Sequence, residues 1–396
     1  MEPDFHYNAT YCAALIAGYS HEESLEICWC AAFVDKCTKT ILKRTKAPLS
    51  AATSQLQMEL MDMRTDIIGL QEITRIWASF HFLPRDLYAE VKGSKQYRSK
   101  YRLLCGPNGA LLKDTVELAK GQGTAAAGLA MHVVADTWAH MYFIGTTSYV
   151  FNSTNAHFFE LIPDGNGGFT EKRLTFRHNP GIPDDPDRCL YTATPPSIGE
   201  NSVMNLGHGR STRLTDYGYA RYRYMPSWAG YEEIYKDNPS DFYKAFCQMV
   251  YALKYLRGQS AEFKLNEYDF DAVAPWEKNI REILEIRKID VGDEWKALGE
   301  SISGRTLPPF DIEKYVQEYI DAGDGADDTL LGRYTRAALA QKSMVTNKIY
   351  KSGNLLAGYS VDYEENGLKG IKDYFRLLEK RVEDINKAGK EGGGND

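Results

Sequence analysis

The chain has 396 residues, enough to bury a sizeable core, and the composition of an ordinary globular protein apart from a high tyrosine count of 26. A formal net charge of −7 leaves no global basic field for phosphate backbones, which sets nucleic acid aside as the default partner. Met1 is followed by EPDFHYNATYC, with no positive n-region or cleavable apolar stretch, and no apolar run reaches the ~18 residues of a spanning helix, so a transmembrane segment is not expected.

Seven cysteines, odd in number and without zinc-ribbon spacing, read as reduced thiols of a cytoplasmic protein, with export by a non-Sec route left open. In chain order, residues near Asn8 to Ala17 read as a first helix broken at Gly18, and Ser20 with Glu23 makes a capping box that opens a second. Residues 41–54 are polar and loop-like. The stretch TDIIGLQEITRIWASFHFLP, 65–84, carries Gly69 and Pro84 without clean periodicity, which predicts irregular or extended chain with His81 in or beside a loop. GPNGALLKDTVELAKGQ is a turn followed by a short amphipathic helix. Residues 124–142 are apolar nearly all round, the mark of a helix buried at the centre of a domain. FFELIPDGNGGFTEKRLTF alternates around a Gly-rich turn as a β-hairpin, and the proline-rich stretch 177–202 is a loop of a length that usually serves function.

Beyond Asp237, helices are predicted near 239–257, 275–288, 311–321, 327–349 and 370–387, with a flexible tail at 388–396. The expected fold is mainly α: a multi-helix domain around a buried central helix, with a small β-hairpin insertion at about 150–205 and a helical C-terminal part. A boundary near 257–260 would separate a site-bearing domain, 1–257, from a C-terminal extension, 258–387.

Several familiar chemistries are absent: there is no GxxxxGK[ST] loop, GxGxxG fingerprint, GxSxG elbow, HExxH, ExxH or adjacent His-Asp pair. What stands out is GLAMHVVADTWAHMYFIG, with His132, Asp136 and His140 at steps of four. On a helix these share an arc of ~80°, while His132 and His140 lie ~12 Å apart along the axis. That is too far for one ion and suits two ions ~3.5–4 Å apart bridged by Asp136. His6 in PDFHY follows Asp4 by two residues, so an extended chain would aim both the same way. His81 lies in the apolar SFHFLP, and His208 in NLGHGRST is flanked by glycines. Asp35 ends an apolar helix, and Asp216 follows His208 by eight residues. His21, His157 and His178 sit among polar or turn residues and read as surface groups. Neutral histidine with carboxylate is a zinc donor set, but a hydrogen-bonded core network explains the same residue types, and the two readings stand level here.

These blocks, DFHY, FHFLP, GLAMHVVADTWAH and LGHG, resemble in order an uncharacterised bacterial family of unknown function, over about residues 4 to 255. More distantly, the order and type of residues are similar to the zinc-dependent phospholipase C and P1-type nuclease group, all-α enzymes with three zinc ions. That likeness implies metal ligands at Asp4, His6, His81, His132, Asp136, His140, His208 and Asp216, with Asp35 as catalytic base or water-orienting group. It departs where the chain begins Met-Glu-Pro rather than with the zinc-binding N-terminal Trp of that group, in the short step from Asp136 to His140, and in the long interval to His208.

The reaction implied is hydrolysis of a small-molecule or lipid phosphoester by metal-activated water, with two or three zinc ions and peripheral contact with a membrane left open. Arg210 and Arg213, with Arg221 and Arg223 close behind, form a cluster that is read either as a phosphate clamp or as a solvated basic face. Lys36, Lys39, Lys43, Arg44 and Lys46 read as a solvated helix face. The rival readings are a metallohydrolase of amides or acyl esters and a non-enzymatic helical interaction protein with a structural metal site.

Overall fold

The computed structural model describes residues 1–61, 67–154, 157–179, 181–195 and 197–358. A π turn over Phe5–Ala9 runs into α1 (Thr10–Ile16), followed by α2 (His21–Phe33), α3 (Lys39–Thr45), α4 (Gln57–Met61), α5 (Ile67–Phe80), α6 (Lys95–Tyr101), α7 (Ala110–Ala119), α8 (Gly123–Ala139) and α9 (Tyr149–Asn152). An insertion supplies strands β1 (Phe158–Pro163), β2 (Phe169–Arg173), β3 (Thr175–Arg177), β4 (Leu190–Thr192), β5 (Arg221–Tyr224) and β6 (Ile234–Asp237). The remaining helices are α10 (Asn238–Leu256), α11 (Phe270–Val273), α12 (Glu277–Glu285), α13 (Gly292–Ser303), α14 (Ile312–Asp321) and α15 (Leu330–Lys351). The architecture is mainly α, with a small antiparallel sheet inserted.

Helix α8 is the axis of the molecule: every residue from Ala125 to Ala139 is buried, as its all-round apolar sequence requires. It packs on α2, α10, α15 and α7. Gly128 makes the α2 contact possible, because a Cβ there would run into the Ile27 carbonyl oxygen and the Cys30 side chain. The capping box at the start of α2 forms as expected: Glu23 N–H donates to Ser20 Oγ, and Ser20 N–H donates to the Glu23 carboxylate.

Four local expectations are corrected. The stretch 65–84 is not extended, because α5 occupies Ile67–Phe80. Ile73, Ile76, Trp77 and Phe80 recur at i, i+3, i+4 and i+7, a helical face that Gly69 in the first turn does not break and that ends before Pro84. The first helix begins earlier than Asn8, through the π turn, and α3 reaches into the supposed loop at 41–54. The hairpin is half of a larger sheet, in the order β2-β1-β5-β6, with Phe158 opposite Tyr224 and Tyr222 opposite Lys236. In β5 half-buried arginines alternate with buried tyrosines, a period-two pattern short enough to escape notice. Helix α13 was not anticipated, and the segments 370–387 and 388–396 lie outside the described residues.

One hydrophobic cluster runs from Met1 to Ala357, and residues on both sides of 257–260 contribute to it. Trp295 on α13 stacks on Phe246 of α10, and Tyr334 on α15 meets Phe33 of α2 edge-on. A second, smaller cluster lies under the sheet and includes Phe82, Phe143, Phe158, Tyr222 and Tyr224. Buried Glu160 on β1 pairs with Arg287, just past α12, and accepts from Tyr191 Oη, tying the sheet to the helical body. Among the described residues, no helix is long and apolar enough to cross a membrane.

Candidate metal centre

Eight of the expected side chains converge at the C-terminal end of α8. His132 and Asp136 project from its last turns, and His140 is its C-cap residue. His81 follows α5 directly, Asp35 lies two residues beyond α2, and His6 comes from the N-terminal π turn. His208 and Asp216 arrive from the stretch between β4 and β5, where short 3-10 turns fold the eight-residue interval back on itself. Gly207, at φ +54°, lets that chain pass against the ring of Phe82, which a Cβ would strike. Phe82 in turn stacks on His140, with ring centroids 4.6 Å apart, and His140 stacks on His208 at 4.7 Å.

Asp136 is the hub, and only 1% of it is exposed. Its Oδ2 lies 3.0 Å from His132 Nε2, 3.2 Å from His81 Nδ1 and 3.6 Å from His140 Nδ1, while its Oδ1 lies 3.1 Å from His6 Nε2. His140 Nε2 is 3.0 Å from Asp216 Oδ1, and His208 Nε2 is 3.4 Å from Asp216 Oδ2. Asp35 Oδ1 stands on the rim, 3.7 Å from His81 Nδ1 and 4.0 Å from His132 Nε2, with 29% of its side chain exposed. These atoms form three donor sets, the first two sharing His132: His6, Asp35 and His132; His81, His132 and Asp136; and His140, His208 and Asp216. Two donors each ~2.1 Å from a tetrahedral zinc ion stand about 3.4 Å apart, close to the spacings found here.

Backbone carbonyls fix the ring tautomers. His132 Nδ1 donates to Ala31 O at 2.9 Å, His81 Nε2 to Thr53 O at 2.9 Å, and His140 Nδ1 to His81 O at 2.6 Å. When neutral, each ring therefore turns an unprotonated nitrogen toward the carboxylates, and two of the inward nitrogens, His81 Nδ1 and His132 Nε2, face each other at 3.3 Å. His6 is fully buried and stacks on His132 at 3.8 Å, yet neither of its ring nitrogens makes a hydrogen bond, because the approach to Asp136 lacks the required direction. Burial pushes the His6 imidazole down to about 4, with His132 adding to the effect. Burial alone would raise Asp136, Asp216 and Asp35, but in the metal-free chain positive charge on protonated histidines outweighs it and holds all three below the usual carboxylate range. For Asp136 and Asp216 the Met1 ammonium adds to this pull. Burial, which would lower His81, is outweighed in turn by Asp136 and Asp35.

That ammonium itself enters the centre, 2.6 Å from Asp136 Oδ1, 3.3 Å from Asp216 Oδ1 and 3.5 Å from His140 Nε2. Burial opposes its charge, but the two carboxylates raise it to about 11. A cation thus stands where three donors meet. Nothing in the residue pattern pointed to Met1, since a main-chain amine has no side-chain signature.

Asp4 does not join the others. The extended chain expected at PDFHY is helical, so Asp4 and His6 diverge, and the Asp4 carboxylate accepts instead from Phe5 N–H at 2.7 Å and Val291 N–H at 2.9 Å. The arginines separate in the same way. Arg221 pairs with Asp237 and Glu285, and Arg223 with Glu171 and Glu233, all on or beside the sheet, so neither serves as a clamp. Arg210 has no carboxylate in ion-pair range among the described residues, and its buried Nε makes no hydrogen bond. Among the described residues Arg213 makes one ion pair, a long one with Glu2 at 3.9 Å. His21, His157 and His178 lie away from the centre, bonded to Tyr11, Glu233 and the Ala193 carbonyl respectively.

A model of a family of unknown function, DUF6765, matches residues 1–349, and the chain belongs to that family. Neither a curated protein nor a solved structure matches it. The match spans every residue of the centre and both sides of 257–260, and it brings no activity with it.

Proposed function

We propose that the chain is a metal-dependent hydrolase of phosphate esters, holding two or three divalent cations, zinc before others, on His6, Asp35, His81, His132, Asp136, His140, His208 and Asp216. The observation that carries this reading is the arrangement of tautomers. Three imidazoles commit their N–H groups to backbone carbonyls and turn lone pairs onto buried carboxylate oxygens at 3.0 to 3.2 Å, while a fourth, His6, is left without any hydrogen bond. So many acceptors facing one another out of water cost several kcal/mol, at least about 1–3 for each unsatisfied group, unless protons or metal cations lie between them, and a set of this size and spacing suits cations. Backbone carbonyls that orient ligand histidines are what metal sites use, and the donor set, neutral imidazole with carboxylate and no thiolate, is zinc's.

When bound, such ions supply Lewis acidity to a phosphoryl group and acidify a water molecule. The chain's own residues do the rest. Asp35, ionised and partly open to solvent, is placed to orient that water and accept its proton. Arg210 and Arg213, without strong internal partners, are placed to hold phosphoryl oxygens. The resemblance read from residue order to the phospholipase C and P1 nuclease group favours a phosphoester over an amide, and Asp4 joins the spacings after Asp136 as a place where this chain departs from that pattern. Seven buried free cysteines support a cytoplasmic setting.

The test is elemental analysis of purified protein with anomalous scattering at the zinc edge, joined to a panel of phosphodiesters, phospholipids and acyl esters assayed with and without chelator. Stoichiometric metal and chelator-sensitive phosphodiester turnover are expected. Metal-free protein whose stability ignores chelator would leave a non-enzymatic polar core. Bound metal with turnover of acyl esters alone would move the enzyme to another substrate class.

A further inference from the structure

Residues 52–55 form neither helix nor strand, yet all four are buried, whereas irregular chain ordinarily runs over the surface. Their polar groups are committed to the surroundings of His81. His81 Nε2 donates to Thr53 O at 2.9 Å. Trp77, whose ring lies 4.9 Å from that of His81, donates from Nε1 to Gln55 Oε1 at 3.0 Å.

Thr53 also grips the turn that carries Asp35. Its hydroxyl donates to Val34 O at 2.7 Å, and its N–H and that of Ser54 both donate to Cys37 O, at 2.9 and 3.2 Å. The Ser54 N–H and the Thr53 carbonyl are opposite edges of one trans peptide plane, so holding the first on Cys37 aims the second at His81. Rim carboxylate and imidazole, 3.7 Å apart, are thus aligned from one fully buried residue.

Behind this loop stands α15, which supplies no donor to the centre. Thr53 gives its one hydroxyl proton to Val34, so in the 2.9 Å contact with Tyr334 Oη the phenol is the donor. Lys342, about two turns further along α15, donates to Ser50 O and Ala52 O. The helix therefore holds the loop, and the loop holds His81 and the Asp35 turn.

We infer that Thr53 is a positioning residue for His81 and Asp35, and that α15 governs two of the three donor sets through Tyr334 and Lys342. The inference rests on the metal-centre reading and names what controls its occupancy. The sets that contain Asp35 and the His81 ring answer to α15, whereas in the third set His140 is oriented by the His81 carbonyl. Groups that orient ligands in this way are worth about 10–100-fold in metal affinity.

The test compares Thr53→Val, which keeps shape and carbonyl but removes the hydroxyl, with Thr53→Ser, which keeps it, and with Tyr334→Phe. Stepwise zinc affinity is read by competition with a chromophoric chelator. Thr53→Val is expected to weaken one or two steps roughly 10–100-fold and to leave the remainder within about threefold, and Thr53→Ser to restore every step to within about threefold of wild type. Tyr334→Phe should weaken the same steps by a smaller factor. In metal-free protein carrying isotope-labelled histidine, the His81 Nε2 proton is expected to exchange at least about tenfold faster in Thr53→Val. Zinc steps unchanged in Thr53→Val, or losses equal at every step and not restored by serine, would overturn the inference, as would unchanged exchange. A wild type that binds no zinc, with exchange still accelerated in Thr53→Val, sinks the metal reading and leaves Thr53 as the residue that aligns His81.

Discussion

Replacing Asp136 by asparagine separates a metal centre from a hydrogen-bonded core more sharply than any other single change. The substitution is isosteric, and an amide oxygen left at the Oδ1 position still accepts from Met1, but the charge that pairs with the buried Met1 ammonium is lost. The metal-free variant should therefore be less stable than metal-free wild type by roughly 3–5 kcal/mol, the cost of a buried cation left with one carboxylate fewer. With metal the outcome diverges, because the bridging charge is gone. A cation present at 1,000 times its Kd stabilises the folded state by about 4 kcal/mol per site. An unfolding entropy of about 2 cal/mol/K per residue over roughly 350 residues, about 0.7 kcal/mol/K, turns that into about 6 °C per ion.

Differential scanning calorimetry with added zinc and with chelator reads the shift, and elemental analysis reads occupancy. The wild type should move by about 6–12 °C for one to two ions, and Asp136→Asn by less than about 2 °C, with metal content reduced to match. A wild type indifferent to both additives, or a variant that binds metal in full with an unchanged shift, would refute the reasoning.

Further outcomes follow from the same geometry. Asp35→Asn should keep its metal and lose about 10²–10⁴ in kcat, measured on a phosphodiester by stopped assay, if the rim carboxylate handles the proton. Arg210→Ala should raise KM for the same substrate roughly tenfold or more while leaving the melting temperature in place, since its guanidinium has no carboxylate partner among the described residues. Gly128→Ala should cost roughly 1–3 kcal/mol in a urea titration by pushing α2 off α8, and should lower metal content because the Ala31 carbonyl that orients His132 rides on α2. In metal-free protein the acid limb of stability should be steep. Asp136 and Asp216 are held below their unfolded values, so their contribution is present above about pH 4 and fades as pH falls toward their depressed folded values. Asp216→Asn should flatten that limb in acid-titration circular dichroism.

Much of this was legible in the residues, and the failures have physical causes. The all-apolar run at α8 could only be a buried helix, and its three polar interruptions at steps of four had to meet partners at one end. His81, His208 and Asp216 declared themselves by polar chemistry in apolar or glycine-flanked settings. At Asp4 the residue pattern predicts extended chain, whereas a π turn rotates the carboxylate away from His6 to accept from Phe5 and Val291 N–H. For Arg221 and Arg223 the basic-face alternative fits, but which acids pair with them was not legible, because clustering along the chain says nothing about what the sheet brings opposite. The carbonyls of Ala31, Thr53 and His81, which set the tautomers, belong to the backbone and leave no trace in residue identity. Helix α5 was missed because two helix-breaking residues at its margins outweighed a sound apolar face between them.

The stretch that carries His208 and Asp216 enters the centre from the sheet insertion, whereas the other six donors all belong to the helical body. Two donor sets are therefore complete once the helices have packed, and the third closes only when a segment more than 60 residues away along the chain from His140 has docked. Loop-closure entropy places that docking late in assembly. Cations would then load in sequence rather than together, and the last position to fill would be the first to empty. Anything that loosens the Glu160–Arg287 tie beneath the sheet would open one third of the centre and leave the rest intact.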